Sequence, residues 1–176
     1  MRVPHSLKDW VALDQRLTLR FNRASRNTFW RGFFTQISSL GNGRFWYALA
    51  LGLAMFGGPT ALPGVIHMVV VGVVGLITYK LLKRATSRPR PFMRSDDIVR
   101  ACDVLDEYSF PSGHTLHAVS FTVVALVYFP YLAPLLIPFT LLVAASRPIL
   151  GLHYPSDVLA GAGIGALIAG LSFCLV

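Results

Sequence analysis

Arg147, His153 and Asp157 stand at fixed spacing in the stretch 146–157, between two apolar runs. Arginine keeps its charge at any physiological pH, so Arg147 suits a site that grips an anion. His153 can act as a nucleophile or carry a proton near neutral pH. Asp157 follows four residues later and, once the next helix has begun, faces the same side as His153. A carboxylate there would fix the imidazole tautomer and stabilise positive charge on the reacting ring. The plainer reading of the same stretch is a loop with one capping aspartate and one interfacial arginine.

Two further groups could share such a site. Lys83 and Arg90 lie seven residues apart in a basic stretch that Pro89 and Pro91 stiffen. They could aim two cations at one anion, or hold lipid headgroups at a helix end. The run 110–115, Phe-Pro-Ser-Gly-His-Thr, opens another apolar segment. A helix starting there leaves backbone N–H groups free at its positive end, a cradle for phosphate. His114 at its rim could give a proton to a leaving oxygen, or be an ordinary polar residue at an interface. His117, one turn on, reads as packing or support for the site, His67 as a packed helix residue and His5 as exposed. A metal on His114, His117, His153 and Asp157 is chemically feasible. Lys83, Arg90 and Arg147 would repel it and welcome phosphate instead, so no metal is expected.

The elements that must position these residues are membrane helices. Of 176 residues 54% are hydrophobic and 14% charged, with a mean hydropathy of +0.58, too apolar for an ordinary soluble domain. Several runs approach the ~20 residues that an apolar helix needs to cross a bilayer. The expected spans are 45–56 with its flanks, 62–82, 115–129, 132–145 and 158–175. Segment 29–40 is short and polar-interrupted, better suited to a re-entrant or interfacial helix. The fold class is thus an all-α polytopic bundle of five transmembrane helices, six if 29–40 crosses. Residues 1–27 form an amphipathic interfacial segment, and 28–176 the membrane-embedded domain. The small residues of 158–175 (Gly161, Gly163, Gly165, Ala166 and Gly170) suit close helix packing in lipid. No cleavable signal is evident, and Cys102 and Cys174 give no disulfide framework. With 16 Lys and Arg against 8 Asp and Glu, the net charge is +8. In so apolar a chain this favours headgroups or an anionic substrate, not nucleic acid. Five spans put 83–113 and 146–157 on one side of the membrane.

Lys83 through six residues to Arg90-Pro91, then Pro111-Ser112-Gly113-His114, then Ser146-Arg147 through five residues to His153 and three more to Asp157, resemble three signature motifs. They are those of the type 2 phosphatidic acid phosphatases, membrane lipid phosphate phosphatases related in fold to bacterial acid phosphatases and vanadium haloperoxidases. The resemblance covers residues 28–176. It implies that Lys83, Arg90 and Arg147 hold phosphate oxygens, with the Ser112 hydroxyl and the Gly113 N–H. It implies that His153 attacks phosphorus, Asp157 orients and charges the ring, and His114 protonates the leaving group and later activates water. No cofactor is needed, and a bell-shaped pH–rate profile is expected. The substrate is a lipid phosphate: polyprenyl diphosphate by preference, or phosphatidylglycerol phosphate, phosphatidic acid or lipid A phosphate. The partners are this substrate and membrane lipids, with no obligate protein partner.

The expected location is a bacterial cytoplasmic membrane. With five spans all Lys and Arg fall on the catalytic side, which by charge alone points to the cytoplasm. The resemblance leans the site to the extracytoplasmic face, as would a sixth span. Two other classes compete: a haloperoxidase-like vanadate enzyme, and a lipid-phosphate binding protein or flippase without chemistry.

Overall fold

A computed structural model describes residues 6–59, 61–104 and 106–175. Residues 1–5 of the N-terminal segment, His5 among them, lie outside the described residues. Among the described residues the chain is helical, with no strand: α1 (Leu7–Asn22), α2 (Thr28–Ser39), α3 (Phe45–Phe56), α4 (Ala61–Thr86), α5 (Gly113–Tyr128), α6 (Ala133–Ile149) and α7 (Pro155–Ser172). The stretches Ala61–Met93, Pro130–Ile149 and Pro155–Ser172 are long and apolar enough to cross a membrane, and Gly113–Tyr128 is apolar but shorter. Their outward faces are aliphatic: on α4, Leu62, Ile66, Val69, Val70, Val73 and Ile77 are all exposed, as lipid contact requires.

α3 has 12 residues, about 18 Å of helix at ~1.5 Å per residue, too little for a ~30 Å hydrocarbon core. It does not stand alone. A π-helical turn, Leu40–Arg44, joins it to α2 through a kink in which Gly43 takes φ 107°, a conformation that favours glycine. The joined path runs antiparallel to α6: Phe34 packs with Ile149, Gly41 against Val143, and Phe45 on Phe139 at 4.0 Å between centroids. Leu53, further along, meets Ala61 and Phe129. Segment 28–56 is therefore one kinked path alongside α6, where the sequence suggested an interfacial helix followed by a span. The polar Ser38 of this path is buried against Arg147, while Gln36 is exposed. α1 lies at the same end of the bundle as the candidate site.

The core joins α3 to α7 through Trp46, Met68, Val71, Val124, Leu136, Phe139, Val143 and Ala169. α7 lies closest to α5. A Cβ on Gly161 would meet the Ser112 carbonyl oxygen at 2.5 Å, and one on Gly165 the Leu116 carbonyl oxygen at 2.4 Å. Gly163 and Gly170 have open space, so two of the four glycines carry the close approach. α1 is locked by polar contacts. Asn22 donates from Nδ2 to the carbonyls of Val99 and Ile149, both at 2.9 Å, and its Oδ1 accepts the Val99 N–H at 2.8 Å. Gly151, at φ 75°, passes between these groups, where a Cβ would sit 2.6 Å from the Val99 oxygen.

Gly165→Ala should destabilise the bundle by about 1–3 kcal/mol, the usual overpacking cost. Gly163→Ala should be neutral or gain up to about 1 kcal/mol from helix propensity. Thermal unfolding in detergent separates them; equal effects would mean that α5 and α7 are not in backbone contact.

Candidate active site

Four helix ends meet at one end of the bundle: the last turns of α4 and α6 and the first turns of α5 and α7. Each carries one group of the residues singled out in the sequence. Lys83 closes α4, His114 opens α5, Arg147 ends α6, and Asp157 stands in the first turn of α7. The loop between α6 and α7 folds back on itself, with the N–H groups of Leu152 and His153 directed at the Arg147 carbonyl at 3.1 and 3.4 Å. That turn brings His153 beside Arg147 and Arg90.

A cavity of about 620 Å³ opens here, its head lined by Lys83, Arg90, Asp106, His114, Arg147 and His153. Lys83, Arg90 and Arg147 are 5%, 2% and 4% exposed, so three cations are held out of water around one space. Lys83 Nζ donates to Asp106 Oδ1 at 2.5 Å and to the Tyr108 carbonyl at 2.7 Å. Arg90 reaches the same Asp106 oxygen at 2.7 Å, the Asp106 carbonyl at 3.1 Å and the Leu152 carbonyl at 2.7 Å. Arg147 donates to the Ser38 hydroxyl, and its Nε, also buried, has no hydrogen-bond partner. Among the described residues no carboxylate pairs with Arg147. Two of the three buried cations thus share one carboxylate, an imbalance that an anion in the cavity would correct.

Arg90 Nη1 lies 3.4 Å from His153 Nε2. A guanidinium only donates, so Nε2 presents its lone pair and Nδ1 carries the proton. Nδ1 faces Asp157 Oδ2 at 3.7 Å, beyond hydrogen-bond range, and the backbone of Ser109 also acts on the ring. Burial above all, then the charges of Arg147, Arg90 and Lys83, push the His153 pKa well below its ordinary value. At neutral pH the ring is therefore uncharged. Burial works to raise the Asp106 carboxyl, yet the hydrogen bond and charge of Lys83, joined by Arg90, outweigh it and hold the group below its ordinary range.

The cavity brings Lys83, Arg90, Gly113, His114, Arg147 and His153 together. Ser112 is placed otherwise than expected for a phosphate ligand. Its hydroxyl is buried as the cap of α5, 2.9 Å from Thr115 Oγ1, and does not line the cavity. A serine before a helix start finds its own backbone before any ligand. His117 bridges the Gly113 and Gly72 carbonyls at 2.9 and 3.1 Å, and His67 meets Tyr128 and Ser172 at 3.2 and 2.7 Å. Sequence reasoning missed Asp106, one of several acids in a polar loop with nothing to single it out. It also missed Arg88 and Asp14, which bond each other at 2.7 Å. A signal for Asp14 existed: Asp14, Thr18 and Asn22 recur every fourth residue, and all three are buried.

The PAP2 superfamily matches residues 63–176, and the chain belongs to that superfamily. It is 34% identical over 131 residues to the undecaprenyl-diphosphatase BcrC of Bacillus subtilis (strain 168), covering 72% of this chain and 65% of that one. It is 31% identical over 126 residues to the bacitracin transport permease protein BcrC of Bacillus licheniformis, covering 70% and 62%. The chain thus spans a little under two thirds of the length of these relatives. Among solved structures, Aquifex aeolicus LpxE is similar with a TM-score of 0.80 at 25% identity, over 92% of this chain and 95% of that one. A transmembrane PAP2 type phosphatidylglycerolphosphate phosphatase from Bacillus subtilis gives 0.75 at 25% identity, over 97% and 87%.

Asp106→Ala should lower stability at pH 7 by about 1–2 kcal/mol, a buried-pair loss discounted because Asp106 is partly exposed. Inorganic phosphate should raise the unfolding temperature of this variant more than that of the wild type. A carboxyl with a lowered folded pKa stabilises above its unfolded value, about 3.9, and loses that as pH falls through the folded value. The two proteins should therefore converge only below about pH 4. Equal unfolding temperatures at pH 7 would mean that Asp106 is not the counter-charge.

Proposed function

We propose that this protein is a membrane lipid phosphatase, which hydrolyses a lipid phosphomonoester or diphosphate through a phosphohistidine on His153. The observation that carries the reading is the excess of buried positive charge beside the bare Nε2 of His153. The rest of the cavity wall supports a lipid: Trp46, Tyr47, Met68, Val69, Val73 and Leu76 continue from the charged head between α3 and α4. A phosphate could meet the cations there while its hydrocarbon stays against apolar side chains.

Lys83, Arg90 and Arg147 hold the non-bridging oxygens, neutralising charge that builds up as the phosphoryl group transfers. Nε2 of His153 forms a bond to phosphorus as the phosphorus–oxygen bond to the leaving group breaks. His114 gives that oxygen its proton. The ring of His153 becomes positive, and Asp157 receives the Nδ1–H across the gap that separates them at rest. In the second half His114 takes a proton from water, the oxygen attacks phosphorus, and the bond to Nε2 breaks. Protonation of His153 removes the nucleophile and sets the acid limb of the rate profile, which the lowered pKa puts below about 6.5. Deprotonation of the acid sets the alkaline limb.

Polyprenyl diphosphate is the favoured substrate, supported by similarity to a relative named as an undecaprenyl-diphosphatase; phosphatidylglycerol phosphate, phosphatidic acid and lipid A phosphate complete the test panel. Three fixed cations supply the charge that a metal would bring, so turnover should not need one.

Detergent-purified protein should release phosphate from this panel with excess EDTA present. His153→Ala and Asp157→Asn should lose about 10³-fold or more in kcat while still folding. Arg147→Lys should lose about 10- to 100-fold, because a point charge cannot replace a planar fork. Release abolished by EDTA would contradict the metal-free chemistry. Lipid phosphate bound by folded protein without any release would make it a binding protein or flippase, and bromide oxidation with added vanadate would make it haloperoxidase-like.

A further inference from the structure

Arg88 belongs to the same basic stretch as Lys83 and Arg90 but does not line the cavity. It turns to Asp157, whose carboxylate is fully buried. The two oxygens of that carboxylate have separate duties. Oδ2 accepts the Tyr154 N–H at 2.9 Å and faces His153 Nδ1. Oδ1 accepts Arg88 Nη1 at 2.6 Å. Arg88 is itself held on three sides. Nη1 also donates to the Ser156 hydroxyl at 2.8 Å, Nη2 donates to Asp14 Oδ2 at 2.7 Å, and the guanidinium lies 4.1 Å from the centroid of the Tyr154 ring. Asp14 completes the cluster by accepting the Ser156 N–H at 3.0 Å and the Ser156 hydroxyl.

A carboxylate cut off from water stays ionised only beside a counter-charge. Were Asp157 to take a proton, it could neither receive Nδ1–H nor stabilise a positive ring. Arg88 cannot lose its charge and reaches Asp157 directly. On its own, however, a long arginine would visit many rotamers, and Asp14 removes that freedom through a charge-assisted bond. Ser156 and Asp14 together also tie the start of α7, where one backbone N–H would otherwise lack a partner, to α1. The groups facing Asp157 are thus Arg88 and Ser109 from the segment between α4 and α5, and His153 and Tyr154 from the loop before α7. Arg90 stands further off, and Asp14 acts from α1 through Arg88.

We infer that Arg88 is a positioning residue that keeps Asp157 ionised and aimed at His153, and that Asp14 of α1 sets Arg88 in place. α1 lies outside the residues that match the superfamily, yet through Asp14 it is joined to the reacting histidine by one arginine and one carboxylate. The consequence for turnover rests on the phosphatase reading above; the ionisation of Asp157 does not.

The test uses the full chain and Arg88→Gln, Arg88→Lys, Asp14→Asn and the double variant Arg88→Gln/Asp157→Asn, each checked for folding by thermal unfolding. Near neutral pH, infrared spectra of Arg88→Gln should contain the C=O stretch of a protonated carboxyl that the wild type lacks. The double variant should lack it too. This readout needs no substrate, so it stands whether or not a lipid phosphate is hydrolysed. In turnover, Arg88→Gln should lose about 10- to 100-fold in kcat, the range for groups that orient a reactive side chain. Its KM should stay within about threefold, and the acid limb of its kcat profile should move to higher pH. Arg88→Lys should recover much of the loss. Asp14→Asn should lower kcat by about 3- to 10-fold and move the acid limb in the same direction. It carries the test if Arg88→Gln does not fold. The inference is overturned by a folded Arg88→Gln without the carboxyl band. It is also overturned by an Asp14→Asn protein that matches the wild type in both kcat and acid limb. A wild type inert on every lipid phosphate would instead remove the phosphatase reading and leave the infrared result to decide this one.

Discussion

Lys83, Arg90 and Arg147 are packed away from water around a single space, and Asp106 is the one carboxylate that pairs with any of them among the described residues. Three like charges so placed repel each other and lack hydration, and among the described residues one carboxylate does not fully compensate them. The rest of the fold makes that arrangement tolerable. Carbonyls of Asp106, Tyr108 and Leu152 accept from Lys83 and Arg90, and the Ser38 hydroxyl accepts from Arg147. The remaining imbalance favours an anion in the cavity, and it lies beside the Nε2 of His153.

Helix ends are the means by which a membrane protein can build such a site. In lipid the backbone must satisfy itself, so irregular chain and charged side chains gather where helices stop. Here α4 and α6 end, and α5 and α7 begin, at one level. Gly161 and Gly165 let α7 lie against the α5 backbone, which fixes Asp157 relative to Gly113 and His114; the Ser112 N–H donates to the Asp157 carbonyl at 3.0 Å across the same contact. The segment 87–112 then closes over the end. Its own geometry is held by the Arg88 carbonyl, which accepts from both the N–H and the hydroxyl of Ser109.

Much of this could be read in the sequence because chemistry and hydropathy leave direct marks. Apolar runs marked α4, α6 and α7 as helices able to cross a membrane, and the spacing of Lys83, Arg90, His114, Arg147, His153 and Asp157 marked out the candidate site. What escaped has a common cause: it depends on contacts between distant segments. That α2 and α3 run as one kinked path beside α6 shows in contacts such as Ser38 with Arg147, 109 residues away. The Ser112 cap is the local exception: its hydroxyl meets Thr115 Oγ1 three residues on and does not line the cavity. Asp14 looked like one acid on a basic amphipathic helix, and Arg88 like one more headgroup cation. Each gains meaning only beside the other and Asp157.

The central claim is a covalent bond between His153 Nε2 and phosphorus. Rapid mixing of the protein with a substrate carrying a radiolabelled terminal phosphate, quenched in alkali and digested, tests it directly, because phosphohistidine survives alkali and is lost in acid. An acid-labile label should appear on the peptide that contains His153. The label should form no more slowly than product and be absent from His153→Gln. Turnover by wild-type protein with no labelled peptide at any mixing time, or with the label on another residue, would contradict it.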